Sequence, residues 1–239
     1  MLSRILLGVA VLGLASGLAA RADTIGTTET FHLTVDGCSG MCGSAGSDFG
    51  TITLVQSATG VVTVTEVLNS ALNPAFVDTG AGESLVFSLT GNPMITIGNL
   101  TTGFQRVPTA DLNNGPFGTG EYAVTCGGYG TGQSKVGPLS CGPGASTTNP
   151  GPLSFTVTDG AGVNVSDFAA IDSCYKPTPS SACEVIYFDS DIIGPTGNTG
   201  DVGALVGRVT PPVPEPSSLA LLGTGVLGLA GVVRRRFGR

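Results

Sequence analysis

The sequence predicts an all-β fold, an antiparallel β-sandwich ectodomain, flanked by two apolar segments that do not belong to it. Three observations carry that expectation. Between residues 29 and 210 the apolar side chains recur with a period of two rather than 3.6. Runs of strand length, rich in Val, Ile, Thr and Phe, are bounded by Gly, Asn, Asp and Pro. No uninterrupted stretch of ten or more residues carries a helical apolar stripe, except at the two ends of the chain.

The N-terminal end reads as a targeting segment. Arg4 gives a positive start, Ile5 to Leu18 is apolar throughout, and Ala20-Arg21-Ala22 supplies the small-x-small pattern that a signal peptidase cleaves. Residues 1–22 are therefore expected to be a cleavable signal peptide, with Asp23 as the mature start. A buried core helix is the bland alternative for residues 5–18.

Residues 23–209 form the expected ectodomain, long enough for one sizeable core. Its clearest strands are Thr51–Val55, Val61–Val67, Ser84–Leu89 and Leu153–Thr158. Side chains alternate faces along a strand, so Ile52, Leu54, Val62 and Val64 line one core while the intervening threonines face out. Ser57-Ala58-Thr59-Gly60 is the best hairpin turn. Weaker strands are expected at Thr30–Val35, Ala75–Val77, Met94–Ile97, Glu121–Cys126, Val185–Phe188 and Ala204–Val209. Ser166 to Ile171 offers at most one helical turn. Residues 127–152, rich in Gly, Pro, Ser and Thr, read as a long surface loop. That loop is taken as an insertion in one domain; it could instead separate two small β-units.

Six cysteines, Cys38, Cys42, Cys126, Cys141, Cys174 and Cys183, all fall in the ectodomain. An even count in an exported chain reads as three disulfides, for which 15 pairings exist. The spacing suggests three local bridges, Cys38–Cys42, Cys126–Cys141 and Cys174–Cys183. A thiolate metal site at Cys38 and Cys42 is the competing reading. However, His32 is the one histidine in the chain and lies in a strand alternation that turns it to the outer sheet face.

Removing the ends changes the charge. Six of the ten Lys and Arg lie in them, leaving four basic residues against sixteen acidic ones, a net charge near −12. No basic run remains for nucleic acid. Asp189, Asp191 and Asp201, in what reads as a Gly-rich loop region, are weak candidate calcium ligands. The EF-hand pattern fails there, because Ile193 and Gly200 stand where ligands belong; solvated turn acids are the plainer reading. Beyond calcium no cofactor is expected.

After residues 210–216, a stiff Pro-rich stem, comes Ser217 to Val233, an uncharged apolar stretch of about 26 Å if helical, a little short of a ~30 Å hydrocarbon core. Arg234-Arg235-Arg236 open a basic tail, 234–239, expected to stay cytoplasmic. Pro214-Glu215-Pro216, the single transmembrane helix 217–233 and the arginines together resemble the PEP-CTERM sorting signal of Gram-negative bacteria. That resemblance implies recognition by an exosortase-type membrane peptidase, cleavage near the motif and delivery to the cell surface. Phe76 to Gly82 with Ser84 to Phe87, and Gly197 to Gly203, look like a recurring region of exported PEP-CTERM proteins, a group with no established activity.

No catalytic set can be named. There is no Gly-x-Ser-x-Gly elbow, no carboxylate in an apolar setting that singles it out, and no Trp for sugar subsites; the ectodomain tyrosines are Tyr122, Tyr129, Tyr175 and Tyr187. The expected function is a non-catalytic surface or extracellular-matrix component, associated with exopolysaccharide or biofilm as the resemblance implies. A carbohydrate-binding or adhesive module is the alternative, and an exported hydrolase the third.

Overall fold

A computed structural model describes residues 24–44, 46–79, 83–107, 112–113, 115–127, 140–141 and 144–206. In chain order the strands are β1 (Thr28–Asp36), β2 (Gly50–Ala58), β3 (Val61–Leu68), β4 (Ala75–Asp78), β5 (Leu85–Leu89), β6 (Ile95–Gly98) and β7 (Gln105–Val107). They continue with β8 (Leu112–Asn113), β9 (Thr119–Gly120), β10 (Tyr122–Thr125), β11 (Gly144–Asn149), β12 (Leu153–Asp159) and β13 (Phe168–Ala169). The last four are β14 (Asp172–Tyr175), β15 (Glu184–Ile186), β16 (Phe188–Ile193) and β17 (Thr199–Val206). Two 3-10 turns, Gly115–Phe117 and Val165–Asp167, are the helical elements among the described residues. The segments expected to be signal peptide, stem, membrane helix and basic tail lie outside those residues.

Every described pairing is antiparallel. One 13-stranded sheet runs β6-β12-β3-β2-β1-β17-β16-β5-β10-β7, with β4, β11 and β13 attached beside this path. The hairpin β2–β3 closes through Thr59-Gly60, as its sequence indicates. Gly60 adopts φ +69°, and its α-carbon sits where a side chain would meet Gly162 at 3.0 Å.

The sheet does not stay flat. Phe87 on β5 and Phe155 on β12 are six strand steps apart, about 29 Å on a planar sheet at ~4.8 Å per step. Their rings nevertheless stack with centroids 5.8 Å apart. The sheet therefore folds back, and its two arms enclose one core of Phe31, Ile52, Leu54, Val64, Phe87, Phe155, Phe188 and their neighbours. Phe87 is the hub, lying also against Phe168 at 5.7 Å and Tyr122 at 5.4 Å.

Several expectations need correction. Residues 127–152 are not loop throughout: Gly144–Asn149 is a strand paired with β4, and the buried Cys141 pins the segment there. The run Val185–Phe188 is divided between β15 and β16. Asp201, expected in a Gly-rich loop, lies instead in β17, which fills the sheet between β1 and β16. Glycine is a poor strand former, but pairing on both edges satisfies the backbone. A side chain at Gly200 would meet Cys38 Sγ at 2.8 Å, so the close approach demands glycine.

The three local disulfides form as the spacing suggests: Cys38–Cys42, Cys126–Cys141 and Cys174–Cys183. The first two are buried in the core, whereas the third is exposed and ties Cys174 on β14 to Cys183 just before β15.

Candidate functional site

Strand β16 carries Phe188-Asp189-Ser190-Asp191-Ile192, five consecutive buried residues. It is buried because it is paired on both edges, by β17 on one side and by β5 and β4 on the other. Alternation sends Phe188, Ser190 and Ile192 inward and Asp189 and Asp191 to the opposite face. There Asp191 stands directly across from Asp201 on β17. Asp189 and Asp191 are thus not solvated turn acids. The Gly115–Phe117 turn covers this face, and a side chain at Gly115 would collide with the Asp201 carboxylate.

The electrostatics follow from that burial. Asp191 Oδ2 accepts from the Thr79 backbone N–H at 2.9 Å and from its hydroxyl at 2.5 Å. Asp189 is 3 % exposed, and its Oδ1 has no hydrogen-bond partner among the described residues. Burial first, then the carboxylates of Asp201, Asp191, Glu66 and Glu83, push its pKa well above the ordinary value. Asp201 is raised by burial.

Glu66 is the acid that the sequence reading missed. It follows Val62 and Val64 in the same inward alternation of β3 and is fully buried. Neither of its carboxylate oxygens has a hydrogen-bond partner among the described residues. Loss of hydration pushes its pKa up to about 8, with the Ser190 hydroxyl pulling the other way. That opposing pull is weak, because Ser190 Oγ donates its proton to Ser84 O at 3.1 Å. The position was legible: the alternation that names Val62 and Val64 as core names residue 66 too.

These acids lie on both faces of the sheet, Glu66 in the core and Asp189 and Asp191 on the opposite face, and each is at most 5 % exposed. For a cation, the one trio of ligand atoms within 4.8 Å among the described residues is Asp36, Cys38 and Cys42. The disulfide occupies both of those sulfurs, and the Asp36 carboxylate accepts from Cys38 N–H at 2.7 Å and Gly43 N–H at 3.2 Å. Asp189, Asp191 and Asp201 share a face but are not drawn to that spacing.

The remaining candidates are dispersed. His32 lies on the outer face, half exposed, with Nδ1 3.3 Å from Asp48 Oδ2. Tyr122 is buried, its one hydroxyl proton shared between Asn92 Oδ1 at 2.8 Å and Pro93 O. Tyr175 packs on Phe117 and Tyr187 on Phe31. Tyr129, the expected cleavage residues Ala20 and Ala22, and the motif Pro214, Glu215, Pro216, Arg234, Arg235 and Arg236 lie outside the described residues. Among those residues, no helix is long and apolar enough to cross a membrane.

An all-β chain with three internal disulfides belongs to the proteins of oxidising compartments. More particularly, residues 212–236 match the family model of the PEP-CTERM protein-sorting motif, the C-terminal sorting signal of exosortase substrates. The motif marks an exported protein, processed by the membrane protein exosortase, anchored transiently in the membrane and then surface-associated. No curated protein and no solved structure matches the chain.

Proposed function

We propose that the protein is a non-catalytic component of the bacterial surface or extracellular matrix, held among exopolysaccharide after its C-terminal signal is removed. The observation that carries this reading is the sorting motif at 212–236. Signal peptidase acts first, at Ala20-Arg21-Ala22; an exosortase-type peptidase acts second, on a precursor held by the 217–233 helix. The back-folded sheet is read as a two-layer sandwich, a shape suited to an inert, protease-resistant module.

The non-catalytic part of the reading is supported by the burial of Glu66, Asp189 and Asp191. A hydrolase needs a base or acid that touches substrate. Replacing Pro214-Glu215-Pro216 by alanines tests the proposal. The expected result is an uncleaved, membrane-retained chain, missing from the polysaccharide-rich surface fraction. Normal processing and release of that variant would overturn it.

A further inference from the structure

Strands β1, β2, β3, β12 and β6 lie side by side in one arm of the sheet, and their inward residues belong to the core. Their outward residues have a pattern of their own. Thr30 stands opposite Thr53, Thr53 opposite Thr65, and Thr65 opposite Ser154, so a straight row of hydroxyls crosses four strands. Two residues along, Thr63 stands opposite Thr156 to begin a second row. Strands about 4.8 Å apart, with about 6.7 Å between rows, turn these residues into a regular grid roughly 14 Å across.

All six side chains remain partly open to solvent. The Thr65 and Ser154 hydroxyls are 3.1 Å apart, while those of Thr30 and Thr53 make no hydrogen bond among the described residues. Each hydroxyl can donate once and accept twice, so the grid has bonding capacity to spare. Threonine is stiff about χ1, so little rotamer freedom is lost when such a surface meets a ligand.

Charge is the second feature. The ectodomain carries a net charge near −12. Yet no Asp, Glu, Lys or Arg occupies an outward position of these five strands; the His32–Asp48 pair marks one rim. A charged polymer would find no counter-charge here. A neutral sugar chain, which presents alternating C–H and O–H groups, meets threonine methyls and hydroxyls in the same alternation.

We propose that this threonine face is a binding surface for a neutral polysaccharide chain. The inference rests on the surface-component reading and names its ligand class and its contact face.

The exported protein, with its disulfides intact, is incubated with three neutral polymers (cellulose, starch and galactomannan) and with anionic alginate, at low and high salt. Saturable retention on at least one neutral polymer, unchanged by salt, is expected. The triple variant Thr53→Val, Thr65→Val, Thr156→Val keeps shape and strand preference while removing hydroxyls, and it should bind at least tenfold more weakly. Thr178→Val, in the exposed β14–β15 connection, should bind as the parent does. If the triple variant fails to fold, Thr65→Lys alone should abolish retention. Absence of retention on all three neutral polymers, equal binding by the parent and the folded triple variant (or Thr65→Lys), or a salt-sensitive preference for alginate would each overturn the proposal. Surface fractionation run in parallel separates the two readings. A triple variant still held in the polysaccharide fraction removes the face assignment alone, whereas a parent protein absent from that fraction removes the surface reading alone.

Discussion

Replacing Glu66 by glutamine isolates the energetic effect of one buried acid. In the folded chain its pKa is pushed up to about 8 from an ordinary 4.5. Between those values the folded state holds a proton that the unfolded chain has released, so stability falls as pH rises and levels off above about pH 8. At roughly 1.4 kcal/mol per pH step, the fall from 4.5 to 8 amounts to at most about 5 kcal/mol, against a total of ~5–15 kcal/mol for a typical domain. Glu66→Gln keeps the shape and removes the titration. Urea unfolding at a series of pH values, followed by far-UV circular dichroism because the chain has no Trp, gives both profiles. Below about pH 4.5 the variant should match the parent to within ~1 kcal/mol. Near pH 8.5 it should be the more stable by several kcal/mol. Asp189 adds a slope of the same sign to both proteins, a smaller one in the variant because the Glu66 charge no longer raises it, so the difference curve reports Glu66 together with that coupling. Parallel profiles across the range would refute the reasoning.

Other perturbations follow from the same packing. Phe87→Ala removes the ring that ties β5 to β12 and should cost about 3–5 kcal/mol in urea unfolding. Gln56 Nε2 donates to Ala58 O at 2.9 Å and Val163 O at 3.0 Å, and its Oε1 accepts from Val165 N–H at 3.1 Å. Gln56→Leu strands those buried groups and should cost about 2–3 kcal/mol. In a timed reduction mapped by mass spectrometry, the exposed Cys174–Cys183 bridge should open well before the two buried ones.

Much of the fold was legible where physics acts locally. The alternation in Thr51–Val55, Val61–Val67 and Leu153–Thr158 states its own pairing face, because one side of each strand must be apolar. What escaped was decided elsewhere in the chain. The first half of β17, Thr199–Gly203, has little strand propensity of its own and is held by pairing with β1 and β16 on both edges, whereas its second half falls in the strand expected from Ala204. Asp189 and Asp191 look like turn acids until β16 is seen to be flanked on both sides. Gly144–Asn149 joins β4 through a contact that Cys141 anchors from a distance. Glu66 was readable from its register, and was passed over because a charged residue in a core position is uncommon. The threonine grid needed the cross-strand registers, which no single segment contains.

Mass spectrometry of the protein purified from the cell surface tests the central claim most directly. The expected product begins at Asp23, ends near Pro214-Glu215-Pro216 and retains three disulfides. A cytosolic chain still carrying Arg234-Arg235-Arg236 and both apolar ends, with its cysteines reduced, would contradict it.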